Sequence, residues 1–210
     1  MSKSIVLIPH GAGNISSIMD VFHQVGFFPQ VAKSATQIDS ADMAVIPGVG
    51  ASGSAMAQLR QSGFADALVR MNDRQRPIIG ICVGAQVMFG KLHENECTGL
   101  DLIPGEVARI TGGEFNNGWS DIRLNVRSQE SGIRKNKSLL LKTAAKTFYF
   151  NHGYQINTSA TMQESASTSD ERKLLAYFVR DNLCGIQFHP EKSQVAGLSF
   201  IANTMKHYGF

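Results

Sequence analysis

Three residues of this 210-residue chain have the types and surroundings needed for nucleophilic catalysis: Cys82, His189 and Glu191. Cys82 stands in Gly80-Ile81-Cys82-Val83-Gly84, after an apolar run and before a helical pattern. A G-x-C-x-G arrangement of this kind places its nucleophile on a sharp strand-to-helix turn, where the flanking positions have room for little or no side chain. The sulfur is then held clear of the backbone at a helix N-terminus, an end that favours negative charge and so the thiolate that attacks carbon. A thiol nucleophile needs a base, and the base needs an orienting group. His189-Pro190-Glu191 offers both. On an extended segment the two side chains project the same way, so the carboxylate can hold one ring nitrogen while the other faces the sulfur. Nucleophile and base lie far apart in sequence, as they do when they meet only in the fold. Read singly, Cys82 is equally a small buried cysteine in a βα turn, and His189 an ordinary histidine at a strand end. Their combination points to nucleophilic catalysis.

Both motifs need strand ends to carry them. Ser4–Pro9 reads as a buried strand broken by the glycine-rich turn from His10 to Asn14. A helix follows, with Ile15, Ile18, Met19, Phe22 and Val25 at helical spacing and Gly26 as its stop. The turn lacks the third glycine of a dinucleotide fingerprint, since Ser16 holds that position. Phe27–Ala32 and Ala41–Ile46 read as the second and third strands, the latter ending in Pro47-Gly48-Val49-Gly50. A helix over Ser54–Met71 would turn Met56, Leu59, Phe64, Leu68 and Val69 inward. Pro77–Ile81 is the fourth strand, and Ala85–Phe89 carries the helical pattern behind the cysteine. Strands alternating with helices predict a parallel sheet covered on both faces, with sites at the carboxyl ends of strands.

Beyond Gly90 the pattern changes. Gly105–Ile110 and Asp121–Val126 read as strands joined by a polar loop, Thr111–Gly118. Phe148–Phe150 is a short aromatic strand running into Asn151-His152-Gly153-Tyr154. Asn157–Arg172 is rich in Ser, Thr, Glu and Asp and reads as an exposed connection. Leu174–Val179 and Leu183–Phe188 predict a hairpin that delivers His189 to a strand end, ahead of a final helix, Gln194–His207. The expected architecture is a single α/β domain over 1–210. It has a mainly parallel central sheet with helices on both faces and a smaller antiparallel sheet region.

Composition closes off other classes. A net charge of +3 without a long basic run gives no electrostatic footprint for nucleic acid. No apolar run approaches the roughly 18 residues of a membrane span, and Met1–Pro9 is too short for a signal peptide. Cys82, Cys97 and Cys184 are odd in number and lack C-x-x-C spacing, which indicates neither a disulfide framework nor a zinc site. A reducing, cytoplasmic compartment is expected, with no metal and no cofactor.

G-I-C-V-G-A-Q at 80–86 and Q-F-H-P-E-K-S at 187–193 together resemble the class I (triad-type) glutamine amidotransferases, whose fold is a flavodoxin-like three-layer α/β sandwich. P-G-V-G at 47–50, G-A-G-N at 11–14, Gly118-Trp119 and Y-F-N-H-G-Y at 149–154 narrow the resemblance to glutaminase subunits of imidazole glycerol phosphate synthase. The resemblance implies that Cys82 attacks the glutamine carboxamide, giving a glutamyl thioester and ammonia. It gives His189 the proton shuttle, Glu191 the orienting role, and Val83 with Val49 and Gly50 the oxyanion hole. Gln86, His152, Gly153 and Tyr154 would hold glutamine. Ammonia would pass to a separate (β/α)8 synthase subunit in a heterodimer serving histidine biosynthesis. Asn14, Trp119 and Lys192 would face that partner, and Val49-Gly50 would change conformation when the partner is loaded.

The chain departs from the family pattern at Pro9-His10, where Asp-Tyr is usual, at Asn116-Asn117-Gly118-Trp119-Ser120 in place of His-Met-Gly-Trp-Asn, and at Val83 in place of Leu. The first two departures are expected where the partner docks. Membership of a paralogous pair that feeds ammonia to amidino-sugar synthesis for surface polysaccharide is the alternative reading. A cysteine hydrolase of the protease or chaperone type, and a regulatory subunit that keeps only the fold, are the other readings.

Overall fold

The computed structural model describes residues 3–11, 14–125 and 138–210. Ala12 and Gly13 of the first turn and Val126 of an expected strand lie outside them. The first apolar run forms β1 (Ile5–Leu7), and the short β2 (Gln30–Val31) and β3 (Met43–Ile46) pair parallel with it on either side. β4 (Ile78–Ile81) adds to β3, and β13 (Leu183–Ile186) adds to β4, again in parallel. Antiparallel strands β12 (Leu175–Arg180), β11 (Glu164–Thr168), β8 (Asn116–Leu124) and β9 (Thr147–His152) complete a nine-stranded sheet of order β2-β1-β3-β4-β13-β12-β11-β8-β9. The helices are α1 (Ile15–Gln24), α2 (Ala35–Ser40), α3 (Ser52–Gln61), α4 (Phe64–Asp73), the single turn α5 (Val83–Gln86), the short α6 (Leu139–Lys142) and α7 (Gln194–His207). α1 packs with α7, and α2 packs with α4. Right-handed crossovers put these pairs on opposite faces, because the chain travels outward from β1 to β2 and back past β1 to β3.

A second sheet, β10-β7-β5-β6, is built from Tyr154–Asn157, Ile103–Arg109, Phe89–Leu92 and Cys97–Thr98. It is mixed, since β5 and β7 run parallel while the other pairs are antiparallel. The chain crosses from the large sheet to the small one at Gly153, between β9 and β10.

Several expectations are corrected. The helix over Ser54–Met71 is two helices, parted at Gly63, whose φ of 72° is left-handed. Val69 consequently faces solvent. The pattern over Ala85–Phe89 is the end of the one-turn α5 followed by the first residue of β5. Aligned-dipole stabilisation of the sulfur, argued for a full helix, carries little from a single turn. The end of the polar loop Thr111–Gly118 belongs to β8. Asn157–Arg172 is not an exposed connection: β11 is buried between β12 and β8. Its polar residues tolerate burial because they are hydrogen-bonded. Glu164 accepts from the Tyr177 hydroxyl, from Ser138 Oγ at 3.0 Å and from the Leu139 N–H at 2.9 Å.

Packing is close where β3 and β4 end. A Cβ on Gly84 would overlap the Ile46 carbonyl, one on Gly80 would overlap the Gly84 carbonyl, and one on Gly48 would lie 2.8 Å from the Gly84 nitrogen. These are backbone neighbours and cannot swing aside. Gly84→Ala is therefore expected to destabilise the fold by about 3 kcal/mol or more, the upper end for overpacking. Gly26→Ala meets no atom within 4 Å and is expected to cost only the left-handed backbone strain of about 1–2 kcal/mol. Urea denaturation of the two variants measures the difference, and equal losses would contradict the close-packed turn.

Candidate active site

The turn after β4 puts Cys82 at φ 53° and ψ −109°, a conformation rare for a residue with a side chain. Strain of this kind costs about 1–3 kcal/mol and persists only where surroundings over-determine it. Here they do, since Gly84 is pressed against β3, Gly80 against Gly84, and the Cys82 N–H donates to the Ile186 carbonyl at 2.6 Å. That bond ties the turn to β13, three residues before His189. The His189 N–H in turn donates to the Tyr149 carbonyl at 2.8 Å, and Phe188 stacks on Phe148 at 4.1 Å between centroids. His189 Nδ1 and Glu191 Oε1 are 2.8 Å apart, both side chains nearly buried. Glu191 lies in a tight 3-10 turn, Pro190–Lys192, rather than on the expected extended segment. The turn brings the carboxylate round to the same ring nitrogen.

His189 Nε2 has no aligned hydrogen bond among the described residues. Its charge state is nonetheless set by its neighbours: burial alone would lower the imidazolium pKa, but the Cys82 sulfur and the Glu191 carboxylate raise it to about 10. Hydrogen bonds of a catalytic pair are often loose before substrate binds.

Cys82 and His189 border one cavity of about 290 Å³. Val49, Gly50, Val83, Gln86, His152, Gly153 and Tyr154 also line it, so nine of the ten residues assigned to catalysis, oxyanion hole and substrate converge there, with Glu191 behind His189. Three residues that line it were not foreseen: Glu94, Phe115 and Asn151. Glu94 Oε2 accepts from the N–H and hydroxyl of Ser52 at 2.7 and 3.0 Å, fixing the start of α3. Gln187, another unforeseen neighbour, donates to the Cys82 sulfur at 3.6 Å and accepts from Gln86 Nε2 at 3.1 Å. Its signal was available, since alternation along the strand puts residues 187 and 189 on one side. Burial pushes the Cys97 and Cys184 thiols upward, and neither borders the cavity.

The opposite wall is fixed by a chain of hydrogen bonds. Arg172 can only donate, and its Nη2 lies 3.0 Å from Asn116 Oδ1. Asn116 therefore turns its NH₂ to His152 Nε2 at 3.3 Å, and His152 Nδ1–H donates to the Tyr154 carbonyl at 2.7 Å. His152 is thus a neutral ring with its tautomer specified. Burial depresses its pKa to about 4, against the pull of the Tyr154 carbonyl.

Two of the three residues assigned to a partner surface meet at one ring. Trp119 is 49% exposed and meets Tyr149 edge-on at 6.0 Å, while Lys192 Nζ sits 5.4 Å from the same ring. Asn14 caps α1, its side chain accepting from the Ser17 N–H at 3.2 Å. Of the sequence departures, His10 and Asn116 are buried, while Asn117 is exposed beside Trp119. No helix among the described residues is long and apolar enough to cross a membrane.

An imidazole that titrates near 6.5 when unfolded and about 4 when folded binds its proton more tightly in the unfolded chain. The stability contributed by His152 is therefore full above about pH 6.5 and is lost as pH falls towards 4, by about 3 kcal/mol in total. His189, raised in the fold, contributes fully below its unfolded value and loses that only as pH rises through about 10. Between about pH 7 and pH 4.5, His152→Gln is expected to lose about 2 kcal/mol less stability than the unchanged protein. Urea unfolding at the two pH values checks this, and parallel losses would contradict the buried neutral ring.

Comparison with known proteins identifies the family. The family model described as glutamine amidotransferase class-I matches residues 6–207. The imidazole glycerol phosphate synthase subunit HisH of Methanothermobacter thermautotrophicus is 36% identical over 202 residues, covering 95% of this chain and 96% of that protein. The subunit of the same name from Moorella thermoacetica is 33% identical over 205 residues, covering 96% and 93%. Among solved structures, PurLQS from Thermotoga maritima superposes with a TM-score of 0.72 at 15% identity, covering 98% of this chain and 99% of that one, a likeness of fold. The chain belongs to the class I glutamine amidotransferase family of enzymes.

Proposed function

We propose that this protein is the glutaminase subunit of an imidazole glycerol phosphate synthase of histidine biosynthesis, releasing ammonia from glutamine for a separate (β/α)8 synthase subunit. The observation that carries the reading is the convergence of Cys82, on its strained turn, with the buried His189–Glu191 pair at one cavity. The names of the relatives, which cover nearly the whole chain, supply the pathway.

In this mechanism the Cys82 sulfur attacks the glutamine carboxamide carbon. The tetrahedral oxygen is stabilised by the Val83 N–H and by one from Val49 or Gly50. His189, protonated beside the sulfur, passes its proton to the leaving nitrogen, and ammonia departs as the thioester forms. His189 then takes a proton from water, which attacks the thioester, frees glutamate and restores the Cys82 thiolate beside protonated His189. Glu191 keeps Nδ1 occupied so that Nε2 does this work. Gln86, His152, Gly153 and Tyr154 hold the substrate. Trp119 and Lys192, beside Tyr149, face the partner that receives the ammonia, and Asn14 marks the edge of that surface. Val49, 36% exposed at the cavity mouth, and Gly50, with φ 91°, form the part of the turn that moves when the partner is loaded.

Cys82→Ala is expected to reduce glutamate release in the reconstituted complex at least about a thousandfold, while leaving synthesis from ammonium salts intact. His189→Ala should match it, because triad members act as a unit. Glutamate release by Cys82→Ala at the normal rate would sink the assignment. Trp119→Ala is expected to weaken association by about 1–3 kcal/mol, as a moderate interface anchor does. Titration with the purified synthase subunit reads this directly, and an unchanged affinity would place the docking surface elsewhere.

A further inference from the structure

We propose that His10 is a positioning residue for the Pro47–Gly50 turn and, through it, for the oxyanion side of the Cys82 cavity. The inference rests on the reading of that turn given under the proposed function. β1 and β3 are neighbours, with Leu7 opposite Val45. Between them the sheet reverses its direction of travel, because the chain leaves β1 towards β2 and returns on the other side to β3. Loops part at such a point and leave a crevice at the carboxyl ends of the strands. His10 fills it. The residue is 3% exposed, and its Nε2 is hydrogen-bonded to the Pro47 carbonyl. A carbonyl only accepts, so Nε2 carries the donated proton. Nδ1 is also buried and has no partner among the described residues, which leaves Pro47 as the ring's polar contact.

Pro47 has no N–H, so its carbonyl is the only backbone hydrogen-bonding group it brings to the turn. Beyond it, among the described residues, the backbones of Gly48, Val49 and Gly50 take part in no hydrogen bond. Gly48 lies against the elbow, where a Cβ would come within 2.8 Å of both the Gly84 nitrogen and Val83 Cβ. The peptide between Pro47 and Gly48 thus cannot turn without breaking the His10 bond, whereas the next two peptides can. His10 touches neither substrate nor sulfur. It fixes the pivot from which the Val49 N–H is aimed at the developing oxyanion.

An oxyanion exists only in the transition state and the intermediate, so a misplaced donor lowers kcat and leaves ground-state binding alone. His10→Phe keeps a ring of similar size and removes the donor. His10→Gln sets an amide N–H near the position of Nε2, and His10→Asn is one bond too short to reach. In the reconstituted complex, kcat for glutamate release is expected to fall about 10- to 100-fold in His10→Phe and His10→Asn, somewhat less than the loss of a whole oxyanion donor. KM for glutamine should stay within about twofold, and His10→Gln should recover kcat to within about threefold. Thermal unfolding checks that each variant is folded, and if His10→Phe is not, the Asn and Gln pair decides. Equal kcat across His10→Asn, His10→Gln and the unchanged protein, or a change in KM alone, would overturn the inference. Labelling of Cys82 by the diazoketone analogue of glutamine separates the two levels. An unchanged protein that neither labels nor releases glutamate overturns the glutaminase reading and this inference with it. An active protein matched by its His10 variants overturns this inference only.

Discussion

Backbone lies directly against backbone where the turn after β4 meets the end of β3, with no room for a side chain between Gly84 and the Ile46 carbonyl. Much of the cavity's geometry follows from that contact. It holds the turn close enough to β3 that Cys82 must adopt a positive φ, and it stacks Gly48 on the same turn from the other side. The start of the loop after β3 is thereby pinned to the turn after β4. The Cys82 N–H then couples that turn to β13, and the chain needs only three more residues to bring an imidazole to the cavity.

The cavity holds two buried histidines with opposite tendencies, and neighbours rather than burial decide between them. Both lose solvation, which by itself favours the neutral ring. His189 faces a carboxylate and a sulfur and is driven towards imidazolium. His152 faces a carbonyl and an amide NH₂, and the cation at the far end of that chain, Arg172, is of the wrong sign to help it protonate. One wall can therefore carry a mobile proton while the other stays electrically silent.

Motifs confined to a few consecutive residues were legible in the sequence. The elbow around Cys82 and the hairpin before His189 are local patterns whose geometry follows from their own glycines and alternation; the His189–Glu191 pair was legible too, but a 3-10 turn and not alternation joins it. What failed depended on distant partners. The apolar spacing of α3 and α4 runs on through Gly63, so only the left-handed φ shows the break. β11 carries Ser, Thr and Glu, and its burial becomes intelligible only when Tyr177, Ser138 and Leu139 appear around Glu164. His10 and Asn116 were expected at a docking surface because the departures from the resembled pattern were placed where its partner docks. Each is instead spoken for by a group more than thirty positions away, the Pro47 carbonyl in one case and the His152 ring in the other.

The pairing of β4 with β13 joins parts of the chain about a hundred positions apart; Gln187 reaches Cys82 across 105. Contacts of such separation must close a long loop before they gain anything, and they form late. During synthesis, β1 to β4 and the glycine-bound turn emerge well before the strand that brings the imidazole. A nascent chain, or one cut before its last hairpin, presents Cys82 without His189. The cavity is thus completed only when the whole sheet is, and a half-made or truncated molecule holds one side of it without the other.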